Sequence, residues 1–226
     1  MKSEGRNPKA EGSPKGERRK VLVCFALKEE ARPFRQLMAG RSDIRVVLVG
    51  MGKRNAERAI RAALAEERPT LVLTSGSAGG LRPDLTLGTV VFDADPETGL
   101  EPALLAAGAQ RARFHCADRV AATTAEKRAL RKSTGADAVE MESEAIRAVC
   151  REQKIPSATV RVILDTSEKE LPLDFNDLLT AEQKMSYVKL ALVLLKSPSK
   201  VGALLQLRRE SQAAAAELGR VLTGLL

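Results

Sequence analysis

Several residue types on which particular protein classes depend are scarce in this chain. Its 226 residues include no tryptophan, one histidine and three cysteines, and aromatic residues make up 3%. Proteins that read single-stranded nucleic acid stack bases on exposed aromatic rings, so this composition argues against that class. With His115 alone and no Cys-x-x-Cys pair, the chain offers no histidine or thiolate set for a metal, and we expect neither a metal nor a cofactor.

The cysteines and the apolar segments bear on the compartment. Cys24, Cys116 and Cys150 are odd in number and far apart, which is not the pattern of a disulfide framework and fits a reducing cytoplasm. No apolar run approaches the roughly 20 residues of a membrane span, and the N-terminus lacks the apolar segment of a secretory signal. We therefore expect a cytoplasmic protein.

The net charge of +8 is unevenly distributed, because half of it lies at the start of the chain. Glycine, proline, lysine and glutamate dominate that stretch, so residues 1–18 are predicted to form a disordered basic tail before one domain over residues 19–226. The remaining charge is spread along the domain and forms no basic stripe. Nucleic acid is therefore not an expected partner.

Strand-like and helix-like segments alternate along the domain. Runs rich in apolar and β-branched residues predict buried strands at Lys20–Ala26, Thr70–Ser75 and Ser157–Leu164. Helical spacing fills the intervals between them, and two long helices are predicted at Asn176–Leu195 and Lys200–Leu225. This alternation predicts an α/β fold with a mainly parallel central sheet flanked by helices. Functional groups are then expected at strand ends and in the loops that follow them.

Carboxylates and small residues follow the predicted strands at three places. They lie in Ala26–Glu30, in Ser75–Gly80, and in Val139–Glu142 together with Arg161–Asp165. A loop of small residues after the third strand would let backbone N–H groups approach an anion or a sugar. Singly, each acid also fits an ordinary role in a helix first turn or a strand-ending turn. Their combination in this order is what suggests a site.

Five motifs, taken in order, resemble the nucleoside phosphorylase superfamily and in particular its 5′-methylthioadenosine/S-adenosylhomocysteine nucleosidase-like branch. They are Ala-x-x-x-Glu at 26–30, Gly-Met-Gly-Lys-Arg-Asn-Ala at 50–56, Ser-Gly-Ser-Ala-Gly-Gly-Leu at 75–81, Val-Glu-Met-Glu at 139–142 and Val-Arg-Val-Ile-Leu-Asp at 160–165. The resemblance covers roughly residues 20 to 180. It implies a single-domain nucleoside-phosphorylase-like fold with a mixed, mainly parallel sheet, and an enzyme that breaks the bond between a purine and a ribose.

The resemblance assigns catalytic roles to three residues. Asp165 matches the general acid that gives a proton to N7 of the purine, Glu30 matches the residue that activates the attacking water, and Arg161 matches the arginine that orients this water. To donate at neutral pH, the pKa of Asp165 must lie above the ordinary value of about 3.9, and burial at a strand end could raise it. Substrate-binding positions carried over in the same way are Ser77, Gly79, Val120, Met141 and Glu142.

Looser similarities point to the hopanoid-associated branch of the superfamily. They comprise residues 117–127, residues 135–143 and a C-terminal region that contains Pro198 and Leu207–Arg209. That branch implies release of adenine from adenosylhopane, a nucleoside joined to a membrane triterpenoid. The apolar residues of the C-terminal helices lie beside Lys196, Lys200 and further basic residues, which suggests a face that contacts the inner membrane surface. Core packing or dimerisation is the alternative, and the family implies a homo-oligomer.

Two departures from the family pattern keep other functions open. Leu164 stands where the family has a serine before the catalytic aspartate, and the segment between Phe92 and Val139 is short, with Phe114 as its only aromatic residue. The alternatives are a methylthioadenosine/adenosylhomocysteine nucleosidase, a phosphorylase that uses phosphate, and a non-catalytic nucleoside-binding relative. Keeping both a general acid and a water-activating residue argues against the last, because a binding protein needs neither.

Overall fold

The computed structural model describes residues 20–180 and 186–226, so the predicted basic tail over residues 1–18 lies outside the described part of the chain. The strands within it are β1 (Val21–Phe25), β2 (Ile44–Leu48), β3 (Leu71–Gly80), β4 (Val90–Ala94), β5 (Gln110–Arg111), β6 (Phe114–Cys116), β7 (Ala138–Glu140) and β8 (Ser157–Asp165). The α-helices are α1 (Lys28–Leu37), α2 (Lys53–Glu66), α3 (Glu101–Ala106), α4 (Thr124–Thr134), α5 (Ser143–Glu152), α6 (Tyr187–Lys196) and α7 (Lys200–Leu225).

All of these strands belong to one sheet. Its main order is β2-β1-β3-β8-β4-β5, with β7 paired to the end of β3 and β6 paired to β7. The pairs among β1, β2, β3 and β8 are parallel, whereas β4 runs antiparallel to β8 and β7 antiparallel to β3. The predicted α/β fold with a mixed, mainly parallel sheet is confirmed.

Helices cover both faces of the sheet, and β1 shows why its sequence is apolar throughout. Because successive side chains of a strand point to opposite faces, Val21, Val23 and Phe25 enter one core while Leu22 and Cys24 enter the other. The first core lies under α1, α3 and α7, and the second lies under α2 and α5. An apolar residue at every position is therefore what a strand inside the sheet, covered on both faces, requires.

The glycine-rich segment after Ser75 differs from the prediction. It was expected to be a loop, but β3 continues through Gly80 and pairs with β8 as far as Asp165. The backbone here is buried between neighbouring strands, and buried N–H and C=O groups need partners, which the sheet provides. A register irregularity between Ala78 and Gly79 sets Gly79 opposite Asp165.

The predicted helix over Asn176–Leu195 is wrong over residues 176–180, and residues 181–185 lie outside the described part of the chain. Phe175–Leu178 forms a 3-10 turn in which the Asp174 carboxylate accepts a hydrogen bond from the Asn176 N–H at 2.9 Å, and Leu179 is extended. Such a side-chain bond to the backbone competes with helix formation. α6 begins only at Tyr187, whereas α7 matches the second predicted helix.

The two C-terminal helices differ in their packing. α7 lies against α1, and Gly219 allows this approach, since a Cβ there would be 3.2 Å from the Phe34 nitrogen. By contrast, α6 and the start of α7 expose large apolar side chains, namely Val188, Leu192, Leu195, Val201 and Leu205. Over the described ranges, none of the helices combines the length and apolarity needed to cross a bilayer.

Candidate active site

A buried arginine is the centre of a charged cluster between β3, β7 and β8. Arg161 is 2% exposed, and its Nη2 donates to Glu140 Oε2 at 2.6 Å and to Glu142 Oε2 at 3.3 Å. The same guanidinium reaches the Ser75 carbonyl at 3.3 Å and Thr74 Oγ1 at 3.2 Å on the neighbouring strand. These bonds fix the guanidinium against the sheet and leave two carboxylates held beside it.

Glu140 holds this arginine and was not singled out from the sequence. Its carboxylate also accepts from the backbone N–H groups of Glu142 at 2.9 Å and Ser143 at 2.7 Å, at the start of α5. Burial opposes ionisation, but Arg161 and these hydrogen bonds outweigh it and hold the pKa of Glu140 below its ordinary value. Its place in a short buried strand directly before Met141 was the available signal, because a buried acid needs a partner.

Glu142 has the opposite protonation tendency. Its side chain is buried, and its Oε1 accepts from the Gly52 N–H at 2.9 Å, in the turn before α2. Burial raises the pKa of Glu142 to about 7, with Arg161 opposing the rise and Glu140 adding to it. Near neutral pH this carboxyl can therefore accept or donate a hydrogen bond, which suits a partner that carries hydroxyl groups.

Glu30 joins the cluster from the first turn of α1. Its Oε1 accepts from the Ser77 N–H at 2.9 Å and its Oε2 from the Leu27 N–H at 3.3 Å. Gly76 lies where this carboxylate meets the arginine, with φ at +140°, and a Cβ there would be 2.8 Å from Arg161 Nη1 and 2.9 Å from Glu30 Oε2. Only glycine leaves room for both side chains without displacing one of them.

A second ion pair lies at the end of β8. Asp165 is 7% exposed and pairs with the ammonium group of Lys127, a residue of α4 that is fully buried. Burial raises the pKa of Asp165, and the charge of Lys127 opposes that rise. Gly79 lies opposite on β3, where a Cβ would be 3.4 Å from Asp165 Oδ2. Lys127 was not identified from the sequence.

The loop before α4 is fastened to the loop after β8. The Asn176 carboxamide accepts from the Val120 N–H at 2.8 Å and donates to the Val120 carbonyl at 2.9 Å. The Leu171 N–H donates to the Ala122 carbonyl at 2.9 Å, close to these bonds. The backbone of Val120, the expected base contact, is therefore paired with a residue that the sequence placed in a helix.

The structure places the predicted site residues in three groups. Ser77 donates to Glu30 and Arg161 donates to Glu142, and the Glu30 carboxylate lies near the Arg161 guanidinium at Gly76, so these four residues form one cluster. In the second group, Gly79 of β3 faces Asp165 of β8. Met141 is also buried and lies between Glu140 and Glu142 in the sequence. Val120 belongs to the fastened loops instead, and its backbone bonds go to Asn176.

Known proteins that this chain is similar to share both its sequence pattern and its fold. The sequence profile of the family described as Phosphorylase superfamily matches residues 16–95 and 99–194. Futalosine hydrolase of Helicobacter pylori strain 26695 superposes with a TM-score of 0.68 at 16% identity, over 92% of this chain and 97% of that chain.

The 5′-methylthioadenosine/S-adenosylhomocysteine nucleosidase from Neisseria meningitidis, solved in complex with methylthio-immucillin-A, gives a TM-score of 0.67 at 20% identity. The match covers 92% of this chain and 98% of that one. The Helicobacter pylori nucleosidase of the same kind gives 0.67 at 16% identity, over 93% and 98%. At these identities the likeness establishes the fold.

Proposed function

Because the chain belongs to the phosphorylase superfamily, we propose that it is an N-ribosyl hydrolase that cleaves the bond between a purine and its ribose. The observation that carries the proposal is that three groups lie close together around the central strands β3 and β8. They are the Glu30 carboxylate of α1, which backbone N–H groups hold, the buried pairs of Arg161 with glutamates, and the buried Asp165 at the end of β8. Their chemistry matches the needs of N-ribosyl cleavage.

The bond to the purine breaks with its electron pair going to the base, and the sugar develops positive charge. Asp165 gives its proton to N7, so that the purine leaves as a neutral molecule. Glu142 lies at the ribose hydroxyls, and its negative form favours the cationic sugar. Glu30 takes the proton from a water molecule whose oxygen bonds to the anomeric carbon, and that proton later returns to Asp165 through solvent. Each proton transfer of this kind contributes about 10²–10⁴-fold in rate.

The charges of the network favour water over phosphate as the nucleophile. Three carboxylates, those of Glu30, Glu140 and Glu142, act on the one guanidinium of Arg161. The Ser77 N–H, a donor that could bind an anion, is already used by Glu30. A phosphate dianion would meet net negative charge here, whereas water would not. Phosphate use is therefore the less favoured form of the same reaction.

The substrate we propose is a 5′-substituted adenosine whose substituent is a lipid, as in adenosylhopane. Exposed apolar side chains on α6 and at the start of α7 support this, with Val188 72% and Leu195 77% exposed. Lys200, Arg208 and Arg209 lie on the same helices, exposed to solvent. A small nucleoside such as methylthioadenosine is the alternative, since nucleosidases for it share this fold.

The test is adenine release, followed by chromatography, from adenosylhopane, methylthioadenosine and adenosylhomocysteine, each with and without phosphate. We expect release without phosphate, fastest from the lipid nucleoside. Glu30→Gln and Asp165→Asn should each lower the rate at least about 100-fold. Glu29→Gln is the matched control, because it makes the same charge change one residue away on the exposed side of α1. An unchanged rate in Glu30→Gln would refute the catalytic assignment.

We also propose that the protein is cytoplasmic and binds peripherally to the inner membrane surface. Its exposed apolar face, formed by Val188, Leu192 and Leu195, would make this contact. Flotation with anionic phospholipid vesicles tests this contact. Leu192→Gln with Leu195→Gln should reduce binding, whereas Leu105→Gln, which changes an exposed leucine on α3, should not. If vesicles fail to bind and the same double variant dissociates a homo-oligomer in sedimentation, the face joins copies of the chain instead.

A further inference from the structure

Lys127 is the most unusual titratable group outside the predicted site. It is fully buried, although it carries a long charged side chain on a helix whose other basic residues are more exposed. Its Nζ donates to the carbonyls of Thr166 at 2.8 Å and Lys169 at 2.6 Å, and it pairs with Asp165. An ammonium group has three N–H donors and no acceptor, so these three partners use all of them.

This arrangement fixes the position of the Lys127 ammonium group. Each of its N–H groups has an oxygen acceptor, two from the loop after β8 and one from Asp165. The other charged group that acts on Asp165 is Lys169, whose ammonium pairs with Glu210 of α7 at 2.6 Å. Lys127 is thus the cation in direct contact with the proposed general acid.

We propose that Lys127 is a positioning residue for the reaction assigned above: it holds the Asp165 carboxyl in place and is the fixed counter-charge for the carboxylate that proton donation leaves. This inference rests on the proposed function. Lys127 occupies Oδ2, so the transferred proton is carried on Oδ1. The Oδ1–H bond breaks, the N7–H bond forms, and the new carboxylate remains paired with an ammonium that neither gains nor loses a proton.

A purely structural role explains this pair less well. Replacing a buried ion pair by apolar side chains of similar size is often neutral or stabilising, so α4 does not need the pair for its attachment. The functional effect has two parts. First, the positive charge of Lys127 makes Asp165 a stronger acid toward the purine. Second, the same charge promotes loss of the Asp165 proton before the substrate binds. Activity should therefore fall as pH rises through the pKa of this carboxyl.

The experiment compares pH profiles of adenine release for wild type, Lys127→Gln and Lys127→Arg. Glutamine keeps donors for the two carbonyls but removes the charge, and arginine keeps the charge. In Lys127→Gln we expect the alkaline limb of kcat/KM to move up by about 1–3 pH units and the acid-side plateau to fall at least about 10-fold. Lys127→Arg should keep the wild-type limb. Lys132→Gln, an exposed lysine of the same helix, is the matched control.

A second measurement needs neither turnover nor a known substrate. Titration of the Asp165 carboxyl by ¹³C NMR, assigned with Asp165→Asn, should give a higher midpoint in Lys127→Gln than in wild type and Lys127→Arg. Equal midpoints in folded protein would overturn the inference. If the midpoints differ but no nucleoside releases adenine, the proposed function fails while the coupling of Lys127 to Asp165 stands. An active Lys127→Gln with an unshifted limb would leave the function intact and reject the inference.

Discussion

Two arginines, Arg161 in the middle of β8 and Arg147 near its start, each bind two carboxylates but have different surroundings. Arg161 binds Glu140 and Glu142, whose side chains are 1% and 6% exposed. Arg147, on α5, binds Asp93 and Asp95 near the start of the strand, and these are 52% and 26% exposed. Both arginines are therefore paired with two carboxylates, and burial of the acids is what separates the two clusters.

The pKa values of one acid from each cluster, Asp95 and Glu142, follow this difference. At Arg147, burial raises the pKa of Asp95 only in part, and the arginine with Ser157 brings it below the ordinary value. At Arg161, burial of Glu142 prevails and its pKa rises to about 7. Each cluster has one arginine and two carboxylates, so a count of charges does not distinguish them. Burial brings the pKa of Glu142 near neutral pH, where this carboxyl can gain or lose a proton.

The largest expected difference comes from removing each arginine. Arg161→Gln leaves two buried carboxylates without a counter-charge, so we expect a loss of about 3–5 kcal/mol in the free energy of unfolding and no adenine release. Arg147→Gln should cost about 1 kcal/mol, since water reaches its partners, and should leave the rate nearly unchanged. Urea unfolding and the release assay measure both. Equal destabilisation by the two changes would contradict the comparison.

The next effect is on the pH dependence of stability. Between pH 4.5 and about 7 the unfolded chain loses a proton that folded Glu142 keeps, so stability should fall as pH rises, by up to roughly 3 kcal/mol. Glu142→Gln should remove this fall. The folded pKa of Asp95 is lowered, so its contribution is present above pH 3.8 and disappears as pH falls further; Asp95→Asn should flatten only that acid limb. Urea titrations across pH would show whether the two slopes have opposite signs.

The smallest expected effect comes from removing one hydroxyl group that contacts each cluster. Ser157 Oγ donates to Asp95 at 2.9 Å, and Thr74 Oγ1 accepts from Arg161 at 3.2 Å. Ser157→Ala and Thr74→Val should each lower the free energy of unfolding by about 1 kcal/mol. Only Thr74→Val should also slow adenine release, because it frees the guanidinium that orients the reacting groups. A rate loss in Ser157→Ala would mean that the two clusters are coupled along the strand.

The sequence predicted the sheet well because buried strands carry a local signal. The apolar runs around Val21–Phe25 and Ser157–Asp165 need only neighbours in the chain to be recognised. The same reasoning was wrong about Gly76–Gly80, where glycine indicated a turn although the pairing with β8 keeps the chain extended. Strand pairing is a long-range property, and glycine alone does not report it.

The site was predictable where residues lie in motifs at strand ends, and it was missed where distant segments meet. Lys127 belongs to a helix rich in lysine and arginine, a pattern typical of a solvent-facing surface. Only the loop that brings Thr166 and Lys169 over it makes it buried. Asn176 was assigned to a helix for the same reason, since its bonds to Val120 join residues 56 positions apart.

The fastening of Asn176 to Val120 bears on how tightly a ligand can bind. A carboxamide presents an acceptor and a donor side by side, as an aminopurine does at N1 and its amino group. A purine that binds the Val120 backbone must therefore replace the two hydrogen bonds from Asn176 with two of its own, so the number of hydrogen bonds changes little. If the base binds at the Val120 backbone as the sequence predicts, Asn176 would be a tethered competitor, and the measured affinity would report the purine's advantage over the chain's own amide.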